Sequence, residues 1–247
     1  MKIVLIVGSA PDAVRVKSFD PSLFNQCVAI NNAWQLKKNW DYIIYPEDFP
    51  VKNQPTHKNH NAQLITAKEY VPTQNNYGGF VYAGATMAFT AGYWALDKLK
   101  PNVIAYLGCD MIYSKSSKGV NHFYGKGAAD PLRNDITLQS LEAKSARLMA
   151  FAKLHNCAMV NLSKQPKSRL LFPRISIEQI SSKESLAKFL KKNKFQLNSS
   201  AFKQVLKTEK KLGYMVRSGR YWEVIKKFDP LKLSEIDQLW LKTPLYI

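Results

Sequence analysis

Cysteine is scarce in this sequence, glycine motifs are incomplete, acidic residues are outnumbered and no apolar run is long. The three cysteines, Cys27, Cys109 and Cys157, are odd in number, lack C-x-x-C spacing and sit in apolar, strand-like contexts. A disulfide framework and a zinc site are thereby excluded, and buried reduced thiols are expected. No stretch approaches the roughly 18 apolar residues of a membrane span. After Lys2 only Ile3 to Val7 precede Gly8, too short for the apolar segment of a secretion signal, so a cytoplasmic location is expected. The glycines complete neither G-x-G-x-x-G, which would need glycine at Ala10 and Ala13, nor a P-loop. No helix-turn-helix, zinc-finger or RNP signature is present, so no specific nucleic-acid partner is expected.

What is abundant is positive charge. Lys and Arg number 36 against 18 Asp and Glu, a formal net charge of +18 in 247 residues. Residues 1–174 carry 21 basic against 11 acidic side chains and residues 175–247 carry 15 against 7, so the shorter segment is the more densely charged. Such a field attracts polyanions, among them anionic lipid headgroups and sugar nucleotides. Hydrophobic residues make up 46% of the chain, enough for a full core.

The chain opens on Ile3-Val4-Leu5-Ile6-Val7 and breaks into Gly8-Ser9-Ala10-Pro11. That is how a buried parallel strand reads when it ends in a tight turn, either as an ordinary first strand or as the mouth of a phosphate site with the next helix aimed at it. Further strands are expected at Gln26–Ile30, Trp40–Tyr45, Val103–Gly108 and Cys157–Leu162. Helices are expected over Ala85–Leu99 and Thr137–Leu154. Residues Val51–Gly79 read as a loop with at most one short strand near Leu64, of the kind that forms lids, and Ser114–Asn134 as a second polar loop. The alternation predicts a Rossmann-like, doubly wound, mostly parallel α/β sheet over residues 1–174. Residues 175–247 read as a basic helical extension, with Lys-rich amphipathic helices at Ser182–Lys194 and Phe202–Lys211 and aromatics Tyr221, Trp222, Trp240 and Tyr246. That composition suits a membrane interface, and equally a helical cap over the sheet.

In such a fold ligands bind beyond the carboxyl ends of the strands. Polar residues gather at those ends: Ser9, Asn31 and Asn32, Glu47 and Asp48, Asp110, and Ser163. Singly, each is an ordinary turn or cap residue. Jointly, paired amides and a lone carboxylate suit recognition of a base and ribose by neutral hydrogen bonds.

Four segments together resemble the glycosyltransferase family 42 bacterial sialyltransferases over roughly residues 1–165: Gly8-Ser9-Ala10-Pro11, Asn31-Asn32, Gly84-Ala85-Thr86 and Gly108-Cys109-Asp110-Met111-Ile112-Tyr113. A related pyrophosphokinase group shares the turn and the sheet. The resemblance implies a CMP-linked sugar donor, no metal or other cofactor, a lid subdomain, a glycan or lipid-linked acceptor, and attachment to the inner face of a membrane through a basic C-terminal segment. It places Asn31 on the nucleotide, Asp110 on the family's acidic position and His122 where the catalytic histidine lies. Ser9 stands where the family carries asparagine, and the family's Thr-Ser-Gly turn appears in altered order around Thr86.

Histidine, with an unperturbed pKa of about 6.5, suits the base that takes a proton from an acceptor hydroxyl. Charge developing on the leaving phosphate would be met by Tyr113, Tyr124, Arg133 and backbone N–H groups at the Gly8-Ser9 turn. Two other classes compete. A magnesium-dependent phosphotransferase would use Glu47, Asp48 and Asp110 as oxygen ligands, and a non-enzymatic module binding nucleic acid or anionic membrane would rest on the basic tail.

Overall fold

The computed structural model describes residues 1–56, 61–113, 120–125 and 135–246. Six parallel strands form one sheet: β1 (Ile3–Val7), β2 (Gln26–Ile30), β3 (Tyr42–Ile44), β4 (Gln63–Ile65), β5 (Val103–Leu107) and β6 (Ala158–Asn161), in spatial order β4-β3-β2-β1-β5-β6. The chain winds outward from β1 to β4, then returns to lay β5 against the other side of β1, pairing Ile3 with Val103 through Val7 with Leu107. The strands are continuous apolar runs because both faces of the sheet are covered. On one face Val4, Ile6, Val28, Ile30 and Ile104 meet helices; on the other Leu5, Val7, Cys27, Ala29 and Ile43 do so. This is a Rossmann-like α/β arrangement.

The first face carries α1 (Ala67–Asn76), the single turn α2 (Phe80–Ala83), α3 (Met87–Lys98) and α4 (Leu141–Leu154). Small residues let α3 lie close to the sheet. A Cβ at Gly92 would stand 2.2 Å from the Tyr106 hydroxyl, which donates to the Ala88 carbonyl, and 2.7 Å from Leu148. The region read from sequence as a loop over Val51–Gly79 is in its described part ordered secondary structure, holding β4 and α1. Its polar composition and Pro72 hide a helix that Thr66 and Glu69 start with a reciprocal capping box and that buries Tyr70, Thr73 and Gln74. The helix expected from Thr137 begins as α4 at Leu141, because Ser140 caps it by accepting from the Ala143 N–H.

Residues beyond 174 add α5 (Ile177–Ser181), α6 (Lys183–Lys192), β7 (Phe195–Leu197), α7 (Ser199–Leu212), α8 (Pro230–Leu241) and β8 (Pro244–Tyr246), with β7 and β8 antiparallel. Their apolar faces are turned inward. Leu186 of α6 packs below the second sheet face, while Phe202, Val205 and Trp240 of α7 and α8 join the same cluster as α3 and α4. Tyr221 and Trp240, grouped from sequence with interfacial aromatics, are 4% and 0% exposed; Trp222 is the open one at 55%. The exposed faces of α6 and α7 therefore present lysine rather than aromatic side chains.

The junction of α4 with α7 and α8 is polar at its centre. Arg147, fully buried, donates through Nε and Nη2 to the two Glu209 carboxylate oxygens at 2.9 and 2.8 Å. Its remaining donors reach the Tyr93 hydroxyl and the Tyr77 carbonyl, and the Trp240 indole N–H donates to Glu209 at 2.7 Å. One turn earlier, buried Lys144 is paired with Asp237. All three cysteines are buried and free.

Candidate functional site

The strand order reverses between β1 and β5, and a cleft of about 380 Å³ opens beyond their carboxyl ends. Such a switch point is where loops from adjacent strands diverge and leave a crevice. Among the described residues its walls contain the expected Gly8, Ser9, Ala10, Asn31, Asn32, Thr86, Gly108, Cys109, Tyr113, His122 and Tyr124. These come from segments more than 100 residues apart.

The glycines of this turn serve backbone packing. A Cβ on Gly8 would lie 2.5 Å from the Gly108 carbonyl oxygen, and one on Gly108, whose φ is +68°, would lie 2.7 Å from the Ala13 Cβ. The Gly8 and Ala10 N–H groups donate to the carbonyls of Leu107 and Gly108, both at 2.9 Å. They are thus unavailable to a phosphate. The following helix, Pro11–Ser18, is a 3-10 helix with Asp12 in its first turn, where the carboxylate accepts from Arg15 and from the Lys164 N–H. Of the two readings of this turn, an ordinary strand end and the mouth of a phosphate site, these bonds and the Asp12 carboxylate favour the first. The helix N-terminus that does face the cleft is that of α3: Thr86, Met87 and Ala88 line it, and the Thr86 hydroxyl caps the Phe89 N–H. Its first amides favour negative charge.

His122 is held on several sides. It is 6% exposed, its ring lies parallel to that of Tyr124 at 4.8 Å between centroids, and Tyr113 stands 6.2 Å away. Nδ1 is 2.8 Å from the Ser9 hydroxyl, and the backbone repeats the link, since the Phe123 N–H donates to the Ser9 carbonyl at 2.9 Å. Nε2 is buried and has no hydrogen-bond partner among the described residues. Burial pushes the imidazole pKa below its ordinary value, so the ring is neutral near pH 7. When Nδ1–H donates to Ser9, the lone pair sits on Nε2.

Asn31 shares this incompleteness. Its backbone adopts φ +50°, a left-handed conformation asparagine tolerates better than most residues, and its side-chain oxygen is buried without a partner. Unsatisfied buried polar atoms are uncommon in folded proteins, and of the seven among the described residues two belong to side chains that line this cleft.

Other expected residues lie elsewhere. Asp110 is 2% exposed and is not among the cleft-lining residues; its carboxylate accepts from the Ser163 hydroxyl at 2.7 Å and more loosely from Asn161. It braces the ends of β5 and β6. Pro11 and Gly84 do not line the cleft, Ala85 lines a neighbouring one, and Arg133 lies outside the described residues. The magnesium reading placed Glu47, Asp48 and Asp110 around one ion, yet among the described residues no three His, Cys, Asp or Glu side chains are grouped to hold a metal. Phe49, Pro50 and Asn53 line the cleft without having been singled out from the sequence, because they sit in a stretch whose polarity reads as loop. No helix among the described residues is long and apolar enough to cross a membrane.

Sheet order and cleft position define a Rossmann-like α/β protein with a crevice at its switch point. No protein-family model, curated protein or solved structure matches the chain, so the resemblance to family 42 rests on its short motifs alone.

Proposed function

We propose that this protein is a glycosyltransferase that moves a sugar from a nucleotide-activated, CMP-type donor to an acceptor hydroxyl, with His122 as general base. One observation carries the reading: a buried, neutral histidine that lines the switch-point cleft is fixed through Nδ1 by Ser9, and its Nε2 has no hydrogen-bond partner among the described residues. In the transfer the acceptor O–H loses its proton to Nε2 as its oxygen bonds to the anomeric carbon. The bond from that carbon to the nucleotide phosphate breaks, and the phosphate leaves with the electron pair. Asn31 and Asn32 would take the base and ribose, and the first amides of α3 with the Tyr113 and Tyr124 hydroxyls would meet the charge developing on phosphate. The reaction as written needs no metal, in keeping with the family resemblance. Exposed lysines on α6 and α7 suit attachment to an anionic membrane that presents a lipid-linked or glycan acceptor.

The test is thermal stabilisation by CMP, UMP, GDP and ATP, each with and without magnesium. A ligand at about 100 times its dissociation constant stabilises by roughly 2.7 kcal/mol, enough to raise the melting temperature visibly. The expected result is a magnesium-independent rise with CMP that persists in His122→Ala. A rise only with ATP and magnesium would replace this reading with a phosphotransferase.

A further inference from the structure

A second cleft, of about 550 Å³, adjoins the first and shares Pro46, Asp48 and Met87 with it. One wall is α1 and α2, and the other is the segment 218–225, brought in from the far end of the sequence. Gly219 makes that approach possible. Its φ is +79°, and a Cβ there would press on Val71 at 3.0 Å and Phe80 at 3.1 Å. Asn75 also ties the segment down by donating to the Arg217 carbonyl at 2.8 Å.

The lining combines aromatic rings with carboxylates. Aromatic rings form two edge-to-face pairs, Tyr70 with Phe80 at 6.1 Å and Tyr221 with Trp222 at 5.5 Å. Against them stand three carboxylates, Glu47, Asp48 and Asp135. Asp135 is oriented by the Tyr221 hydroxyl, which donates at 2.6 Å, and by the N–H and hydroxyl of Thr137. Glu47 and Asp48 make no ion pair among the described residues. The one cation of the lining, Arg220, reaches Glu223 at 3.5 Å. In a chain of net charge +18 this is a local reversal of sign.

Tyr70 supplies an independent pointer to a ligand. It is 5% exposed, lines the cleft, and its hydroxyl makes no hydrogen bond among the described residues. Burial and then the charges of Glu47 and Asp48 push its phenol far above the ordinary value. The phenol therefore keeps its proton, and its oxygen lone pairs remain open beside those carboxylates.

We propose that this second cleft binds a ligand bearing a cationic amine, held by the aromatic faces and the carboxylates together. Ring quadrupoles attract an ammonium group while carboxylates set its charge preference, and a neutral ligand gains only the first. The inference does not rest on the chemistry at His122. If that reading also holds, an amine-bearing acceptor would stand beside the base.

The test is a thermal-shift titration of the full chain with choline and, in parallel, its uncharged tert-butyl analogue. Saturable stabilisation by choline alone is expected, weakened at least about threefold in apparent affinity by either Trp222→Ala or Glu47→Gln. Both side chains are exposed, so the variants retain the fold. Equal shifts with the uncharged analogue would overturn the charge assignment and make the cleft a site for neutral ligands. No choline shift, or one indifferent to both substitutions, would overturn the site. Stabilisation by CMP is read separately and reports only on the first cleft.

Discussion

Arg147 and His122 are both buried, ionisable and surrounded by aromatic rings, and they differ in how completely they are satisfied. Every nitrogen of Arg147 has an acceptor: two carboxylate oxygens of Glu209, the Tyr93 hydroxyl and the Tyr77 carbonyl. His122 has Ser9 on one nitrogen and nothing on the other. A closed polar network can only hold helices together. An open one keeps bonding capacity to spare, which is what the proposed role of His122 uses.

The largest effect that would break the comparison is at the hub. Arg147→Met leaves Glu209 buried without its cation, and unfolding in urea should show a loss of about 3–5 kcal/mol. A loss below about 1 kcal/mol would mean that the network is not holding α4 to α7 and α8. At the site the expectation is reversed. His122→Ala should keep its nucleotide affinity while turnover drops by about 10²–10⁴-fold; undiminished turnover would remove His122 from the mechanism.

Between these lies the turn that joins β1 to the cleft. Gly8→Ala puts a methyl 2.5 Å from a carbonyl oxygen that cannot retreat without moving β5, and should destabilise by about 1–3 kcal/mol in the same urea experiment. Were the glycine there for phosphate approach instead, the variant would lose nucleotide affinity at unchanged stability.

A smaller effect is set by protonation. The folded pKa of His122 lies below its unfolded value of about 6.5, so the unfolded chain binds the proton more readily and stability rises with pH across that window. Stability should fall as pH drops below about 6.5 toward the folded pKa, and His122→Gln should remove that component of the slope. The smallest effect sharpens the hub. Lys144→Met with Asp237→Leu replaces a dry ion pair by apolar side chains and should be close to neutral, whereas Lys144→Met alone should destabilise, since Asp237 then stays buried without its cation.

Much of the sheet was legible because its strands are two-sided and apolar: Ile3–Val7, Gln26–Ile30 and Val103–Leu107 stand where period and composition put them. The α1 helix was not, since its helical signal is a capping box inside a polar, proline-containing stretch. For the site, Ser9, Asn31 and His122 were each visible as polar residues near strand ends or in a loop. Their convergence was not, because hydrogen-bond geometry across 113 residues leaves no local periodicity. Asp110 shows the converse. A carboxylate following a strand looked like a site residue, and Ser163 and Asn161 turn it inward.

The sequence by itself determined the α/β class, the buried thiols and the excess of positive charge, since these follow from composition and from apolar runs that depend on near neighbours along the chain. Only the tertiary structure decided that Gly8 serves backbone packing and that the α3 N-terminus faces the cleft. It alone joined Tyr70 to Tyr221 and Trp222 around one cavity. Those outcomes depend on which distant segments come within a few ångströms of one another, and that is set by how the strands order themselves around β1.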